Sequence, residues 1–167
     1  MDIQKISTVY RVEIINENHF ADIFNLCLSN PEYYAHTKSS LSFQSIRDDL
    51  LALPPNKSTE DKYFLAFYDK DNLIAILDLI WQYPNDSTAY IGLFMTHQKI
   101  QGQGVGSFII HELEDFLAKN GFHSLKLAII DENRTAQSFW IKNKFEFSGG
   151  PIVQETYTVI PMQKRIG

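Results

Sequence analysis

The chain has 167 residues, 44% of them apolar, which suffices for one sizeable hydrophobic core and falls short of two independent domains, so residues 1–167 read as a single domain. A formal net charge of -5 argues against a broad electrostatic footprint for nucleic acid or an anionic membrane, and no stretch approaches the ~18 apolar residues of a membrane span. Cys27 is the single cysteine, so an internal disulfide and a thiolate-rich metal site within one chain are excluded, and its expected place is a buried apolar position. The first residues carry no basic segment followed by an apolar run and a small-residue cleavage site, which leads to the expectation of a soluble, cytoplasmic protein.

Val9 to Ile15 alternates in side-chain character and is rich in Val and Ile, the pattern of a half-buried strand. Phe20, Ile23, Phe24 and Cys27 recur at helical spacing and define a first helix that ends before Asn30-Pro31. Ile46, Leu50 and Leu53 repeat that spacing in a second helix, terminated by Pro54-Pro55 because a proline drives the preceding residue out of the helical region. After a polar loop through Asp61, Lys62 to Tyr68 and Leu73 to Trp81 are strand runs joined by the turn at Asp69 to Asn72, which predicts an antiparallel hairpin. A turn at Pro84 to Asp86 leads to a further strand, Thr88 to Met95.

Val105, Phe108, Ile109, Leu113, Phe116 and Leu117 outline an amphipathic helix stopped by Asn120-Gly121. Glu112, Glu114 and Asp115 are expected to form its solvated face, and the histidine that a zinc helix needs four residues after His111 is missing, so no metal is expected. Leu125 to Ile130 is almost continuously apolar and reads as a central strand covered on both faces. Ala136, Phe139 and Trp140 share one face of a fourth helix, and Phe145 to Ser148 and Val153 to Ile160 close the chain as strand candidates.

The most informative segment is Gln101-Gly-Gln-Gly-Val-Gly-Ser107, which lies between a predicted strand and a predicted helix. Its glycines permit a tight turn and leave the main-chain N–H groups uncovered, and the helix dipole adds positive potential, so the loop suits a phosphate or pyrophosphate. A phosphate loop of the nucleotide-hydrolase type requires Gly-Lys-Ser/Thr, and no lysine separates Gly106 from Ser107. A dinucleotide fingerprint requires a third glycine where Ser107 stands and an acidic residue ~20 positions on, and Asp131 comes too late.

These residues resemble the GCN5-related N-acetyltransferase (GNAT) family, known for a Gln/Arg-x-x-Gly-x-Gly/Ala loop, which here reads Gln101-Gly-Gln-Gly104-Val-Gly106. Asn133, Ala136, Phe139, Trp140, Lys142 and Phe145 are similar to the family's second signature, one helix and one strand further on. The resemblance implies an α/β fold with a mixed, largely antiparallel sheet of about seven strands flanked by about four helices. It implies acetyl-CoA as acyl donor, without a metal, and transfer of the acetyl group to a primary amine of a small molecule or peptide by direct attack on the thioester. It implies further that Leu93, Phe94 and Met95 pair through their main chain with the pantetheine amides and help to stabilise the oxyanion. Gln101, Gly102, Gln103, Gly104, Val105, Gly106 and Ser107 would cradle the pyrophosphate, and Asn133, Ala136, Phe139 and Trp140 would line the rest of the coenzyme. Neither nucleic acid nor membrane is expected as a partner, and a homodimer stays open.

Two positions depart from the family pattern. Trp140 occupies the place of a tyrosine commonly assigned as the acid for the departing thiolate, and an indole is no proton source near neutral pH. Lys144 replaces a glycine that often precedes Phe145. An amine acceptor must lose a proton before it attacks, and Asp78, His97 and Tyr157 are the candidates to assist. Tyr33, Tyr34 and Tyr157 are candidates for the acceptor pocket or for a proton relay. Loss of the tyrosine also prompts a reading as a coenzyme-binding regulatory module without turnover, and a structural domain sharing only the fold is a third.

Overall fold

A computed structural model describes residues 1–167. The eight strands are β1 (Arg11–Ile14), β2 (Lys62–Asp69), β3 (Asn72–Ile80), β4 (Thr88–Thr96), β5 (Ser124–Ile130), β6 (Glu146–Phe147), β7 (Ile152–Val153) and β8 (Thr158–Arg165). The five α-helices are α1 (Phe20–Leu28), α2 (Pro31–Thr37), α3 (Phe43–Leu51), α4 (Val105–Lys119) and α5 (Arg134–Lys142). All eight strands join one sheet in the order β1-β2-β3-β4-β5-β8-β6, with β7 also on β8; every pairing is antiparallel except that of β4 with β5.

Side-chain alternation along the strands sorts the core onto two faces. On β2, Leu65 and Phe67 join Ile109, Leu113 and Leu117 of α4, whereas Phe64, Ala66 and Tyr68 join Ile23, Leu26 and Cys27 of α1 and Ile46 of α3. Leu65, Leu77, Ile109 and Leu113 are completely enclosed, and burial of each such side chain contributes about 1.5–3 kcal/mol.

The structure departs from sequence expectation in several elements. β1 begins only at Arg11, because the main chain and hydroxyl of Thr8 and the hydroxyl of Ser7 donate to the Glu112 carboxylate and hold the preceding segment on α4. Asn30-Pro31 ends α1 but also starts α2, where Pro31 occupies the first turn, a position whose N–H needs no partner. β5 is covered fully on one face only: Leu125, Leu127 and Ile129 are buried, while Lys126, Ala128 and Ile130 are half-exposed.

The run Val153 to Ile160 is not one strand: a turn at residues 154–157 splits it into β7 and β8, and β8 continues through Pro161 to Arg165 instead of stopping at Ile160. The Pro161 carbonyl accepts from Ser148 N, so the missing donor of the proline faces the interval between β6 and β7 and leaves the β5 ladder intact.

Glu112 and Glu114 are not a solvated face. Glu114 is 7% exposed and accepts two hydrogen bonds from Lys164 Nζ of β8, at 2.7 and 2.8 Å, clamping α4 to the sheet. Glu114→Ala leaves the Lys164 ammonium without its partner in a largely enclosed place, which is expected to cost about 3 kcal/mol. Thermal unfolding should then shift down by roughly 6–12 °C for a domain of this size, and a shift indistinguishable from that of Asp115→Ala would show the pair to be unimportant.

One sheet feature positions the site. β4 pairs with β5 only from Thr88 to Ile91, opposite Ser124 to Leu127. Beyond Ile91, β4 continues along β3 to Thr96 while β5 continues along β8 to Ile130, so the two strands diverge into a fork. At the same level the β3–β4 register slips: Asp78 faces Leu93 and Leu79 faces Ile91, leaving Gly92 as the extra residue of a β-bulge.

Candidate active site

A cleft of about 300 Å³ opens at the fork, lined by β4, the loop before α4, the start of α2 and the face of α5. Its loop wall follows from local sequence. Gly102 and Gly104 take left-handed conformations, with φ of 76° and 81°, that a β-carbon disfavours. The main-chain N–H groups of Gly102 through Ser107 have no acceptor within the protein. This row of unpaired donors at the first turn of α4, added to the helix dipole, forms an anion-binding nest.

Gln101 anchors the nest. Its Nε2 donates to the Thr96 carbonyl at the end of β4 (3.0 Å) and to Asn30 Oδ1 (2.8 Å), while Asn30 Nδ2 donates to the same Thr96 carbonyl. Gly106 has a different role: a β-carbon there would stand 3.2 Å from the Phe139 ring, so the glycine admits α5 close to α4.

The opposite wall is aromatic. Phe94 stacks on Phe139 with centroids 6.0 Å apart, and Trp140 packs at 4.9 Å against both Phe139 and Phe145. Trp140 is 6% exposed and belongs to the main core cluster while its edge borders the cleft, an arrangement of packing. Asn133 caps α5, accepting from Ala136 N at 3.0 Å, and Ser107 Oγ accepts from Asn143 Nδ2 at 3.1 Å.

Of the residues expected to hold a coenzyme, Phe94, Met95, Gln101, Gly102, Gly104, Gly106, Ser107, Asn133, Ala136, Phe139 and Trp140 border the cleft. Three do not. The Leu93 side chain packs toward α1 and α3, Val105 packs into the core, and Gln103 points away to donate to the Lys99 carbonyl. Asn30, Glu32, Tyr33, Thr96, Thr135 and Lys142 also line the cleft. Only Lys142 stood in the second signature, and no local pattern marks Asn30 or Glu32 because α2 and the strands meet only in the folded chain.

Asp78, on β3, is not among the residues that line the cleft; it lies behind β4 at the Gly92 bulge. An added β-carbon on Gly92 would come within 2.7 Å of Asp78 Oδ2, so the glycine, itself exposed, makes room for the carboxylate against β4. Asp78 is 9% exposed; its Oδ1 is buried without any hydrogen-bond partner, and Lys62 Nζ stands 3.1 Å from Oδ2. Burial pushes the carboxyl pKa up to about 6, with Lys62 opposing the shift. An enclosed carboxylate of this pKa is ionised at neutral pH and still basic enough to accept a proton.

His97 is placed differently. Its Nδ1 accepts from Lys99 N at 3.1 Å, capping the short turn after β4, and its side chain does not border the cleft. Tyr157 of the β7–β8 hairpin lines a separate polar cleft with His36, Asp131 and Gln154. Tyr33 borders the main cleft and lies within electrostatic reach of Asp49, Tyr157 and Asp78; burial raises its phenol pKa well above the ordinary value, so it stays protonated. Tyr34 does not border the cleft, and burial raises its phenol pKa above the ordinary value. Cys27 is buried, and no group of three metal-ligating side chains occurs. No helix is long and apolar enough to cross a membrane.

Residues 20–147 match the family model described as acetyltransferase (GNAT) family. Among solved structures, the acetyltransferase from Salmonella typhimurium that modifies the N-terminal serine of ribosomal protein L7/L12 is similar at a TM-score of 0.75 and 17% identity, covering 99% of this chain and 100% of that one. An acetyltransferase from Thermus thermophilus reaches 0.73 and 17% identity over 95% of this chain and 97% of that one. The paia N-acetyltransferase of Thermoplasma acidophilum, in complex with coenzyme A, reaches 0.66 and 16% identity over 93% and 98%. Among curated proteins none matches the chain.

Proposed function

Because the chain belongs to the acetyltransferase (GNAT) family, we propose that it transfers the acetyl group of acetyl-CoA to a primary amine by direct attack at the fork between β4 and β5. The observation that carries this reading is the run of unpaired N–H groups from Gly102 to Ser107 beside the mouth of the fork. A pyrophosphate on that run leaves the pantetheine arm to follow β4, whose β5-facing edge is open beyond Ile91. The thioester then lies along β4 near the Gly92 bulge, with Asp78 behind that bulge on β3.

The Asp78 carboxylate takes the ammonium proton of the acceptor, directly or through one water; the neutral nitrogen then attacks the thioester carbonyl, and collapse of the tetrahedral adduct expels the coenzyme thiolate, the remaining N–H proton leaving nitrogen to balance the thiol. Thiolate departure needs no strong acid, since a thiol with a reference pKa near 8.5 is a fair leaving group. Tyr33 is the one tyrosine bordering the cleft, and its hydroxyl, kept protonated by burial, is assigned as a hydrogen-bond donor to the leaving sulfur and not as its acid. Asp49, exposed on α3, and Asp78 make the acceptor side acidic, which suits a cationic amine. His97 and Tyr157, neither of which borders the main cleft, are left out of the mechanism.

Release of free thiol from acetyl-CoA across a panel of amines, amino acids and peptides tests the reading; binding without turnover by any acceptor would favour the regulatory module. Acetyl-CoA at a hundred times its dissociation constant should stabilise the fold by about 2.7 kcal/mol. That corresponds to roughly 5–10 °C in melting temperature, with no shift from NADH. Absence of any shift with millimolar acyl-CoA would overturn the proposed coenzyme site.

A further inference from the structure

We propose that Lys62 is a positioning residue for acetyl transfer, holding the Asp78 carboxylate ionised behind the Gly92 bulge and tying it to the C-terminal end of α3. This rests on the assignment of Asp78 as proton acceptor. Lys62 is the first residue of β2, opposite Ile80 on β3, and its side chain is only 4% exposed. Its ammonium contacts three oxygens: Asp78 Oδ2 at 3.1 Å, the Asp49 carbonyl at 2.5 Å and the Ala52 carbonyl at 2.7 Å. An ammonium has three donors, so the group is saturated and its place fixed.

The two carbonyls belong to the end of α3, where the last C=O groups lack helical partners and carry the negative pole of the helix. They hold the ammonium in place independently of Asp78. Lys62 is thus a fixed positive charge to which the carboxylate aligns, with Oδ2 engaged and Oδ1 left without a partner.

No other cation takes this part. From α3 the exposed Asp49 repels the carboxylate, from α2 Tyr33 offers only a neutral phenol, and on β4 the facing residues are Gly92 and Leu93. Without Lys62, desolvation and Asp49 would act unopposed, and both favour the protonated acid, which cannot accept a proton.

The test is the pH dependence of kcat/KM for the acceptor in the full chain. Lys62→Met should move the acid limb upward by about one pH unit, so that the rate at pH 6 falls about fivefold and recovers at alkaline pH, with KM for acetyl-CoA unchanged. Lys62→Arg retains the charge and should leave the limb near its original position. Lys62→Gln keeps a donor for the α3 carbonyls and should reproduce the methionine result if Lys62→Met does not fold. A purely structural residue would lower the rate equally at all pH values.

An unmoved limb in either folded neutral variant overturns the proposal, as does failure of both to fold. Asp78→Asn is measured alongside: full activity there removes the proton-acceptor assignment itself, whereas a loss there with an unmoved limb in the lysine variants removes only the role of Lys62.

Discussion

Asp78→Asn is expected to lower kcat for amine acetylation by about 10²- to 10⁴-fold, the usual contribution of a positioned general base, while acetyl-CoA binding stays near that of the parent. Asparagine is close in size to aspartate, so it fits under Gly92, but its amide cannot take a proton at any working pH. In the parent the carboxyl ionises near pH 6, so kcat/KM should fall as pH drops below that value and level off above it. The asparagine variant should show no such limb.

The same shift bears on stability with a definite sign. The folded-state pKa is raised from 3.8 to about 6, so the native chain binds the proton more readily than the unfolded chain. The contribution of Asp78 is therefore complete below the ordinary carboxyl pKa and is lost as pH rises through about 6. Equal acetylation rates in parent and Asp78→Asn from pH 5 to 8 would remove this residue from the mechanism.

Gly104→Val is expected to reduce acetyl-CoA affinity by about a hundredfold or more, because it spoils the anion site in two ways. A β-branched residue disfavours the left-handed φ of 81°, at a strain of order 1–3 kcal/mol, so the loop turns its N–H groups away. A valine that keeps the loop in place instead projects its branches into the space open at Gly104, where the pyrophosphate would lie. No protein atom lies within 4 Å of that added β-carbon, so the fold itself should survive. Isothermal titration with acetyl-CoA, together with the melting curve of the free variant, separates the two effects; unimpaired binding would place the pyrophosphate elsewhere.

What could be read from the sequence was whatever is encoded locally. The glycine spacing in Gln101 to Ser107, the apolar stripe of α4 and the strand runs of β2 and β3 specify conformation over short stretches, and the structure has them where the pattern places them. Asp78 stood out as a carboxylate in an apolar strand, but the reason for its place was hidden. Gly92 reads as an ordinary strand glycine until the register of β3 against β4 makes it a bulge. Glu114 reads as surface because its partner Lys164 is on the last strand, and Lys62 reads as a strand-end cation because the carbonyls it binds belong to α3. Pairings of this kind join segments that only the finished sheet brings together.

The fork has a consequence for self-association. A strand with free N–H and C=O groups is ordinarily a hazard at the rim of a sheet, where a neighbouring chain can add its own strand and start an aggregate. Here the free edge lies in the interior of the sheet, in a wedge that closes at Ile91 and is walled by Tyr33 on one side and Phe139 and Trp140 on the other. A polypeptide strand from a second molecule, with side chains on both faces, is too thick to enter. A single unbranched chain with amide groups is not, so the wedge admits a slender guest and shuts out a second copy of the protein.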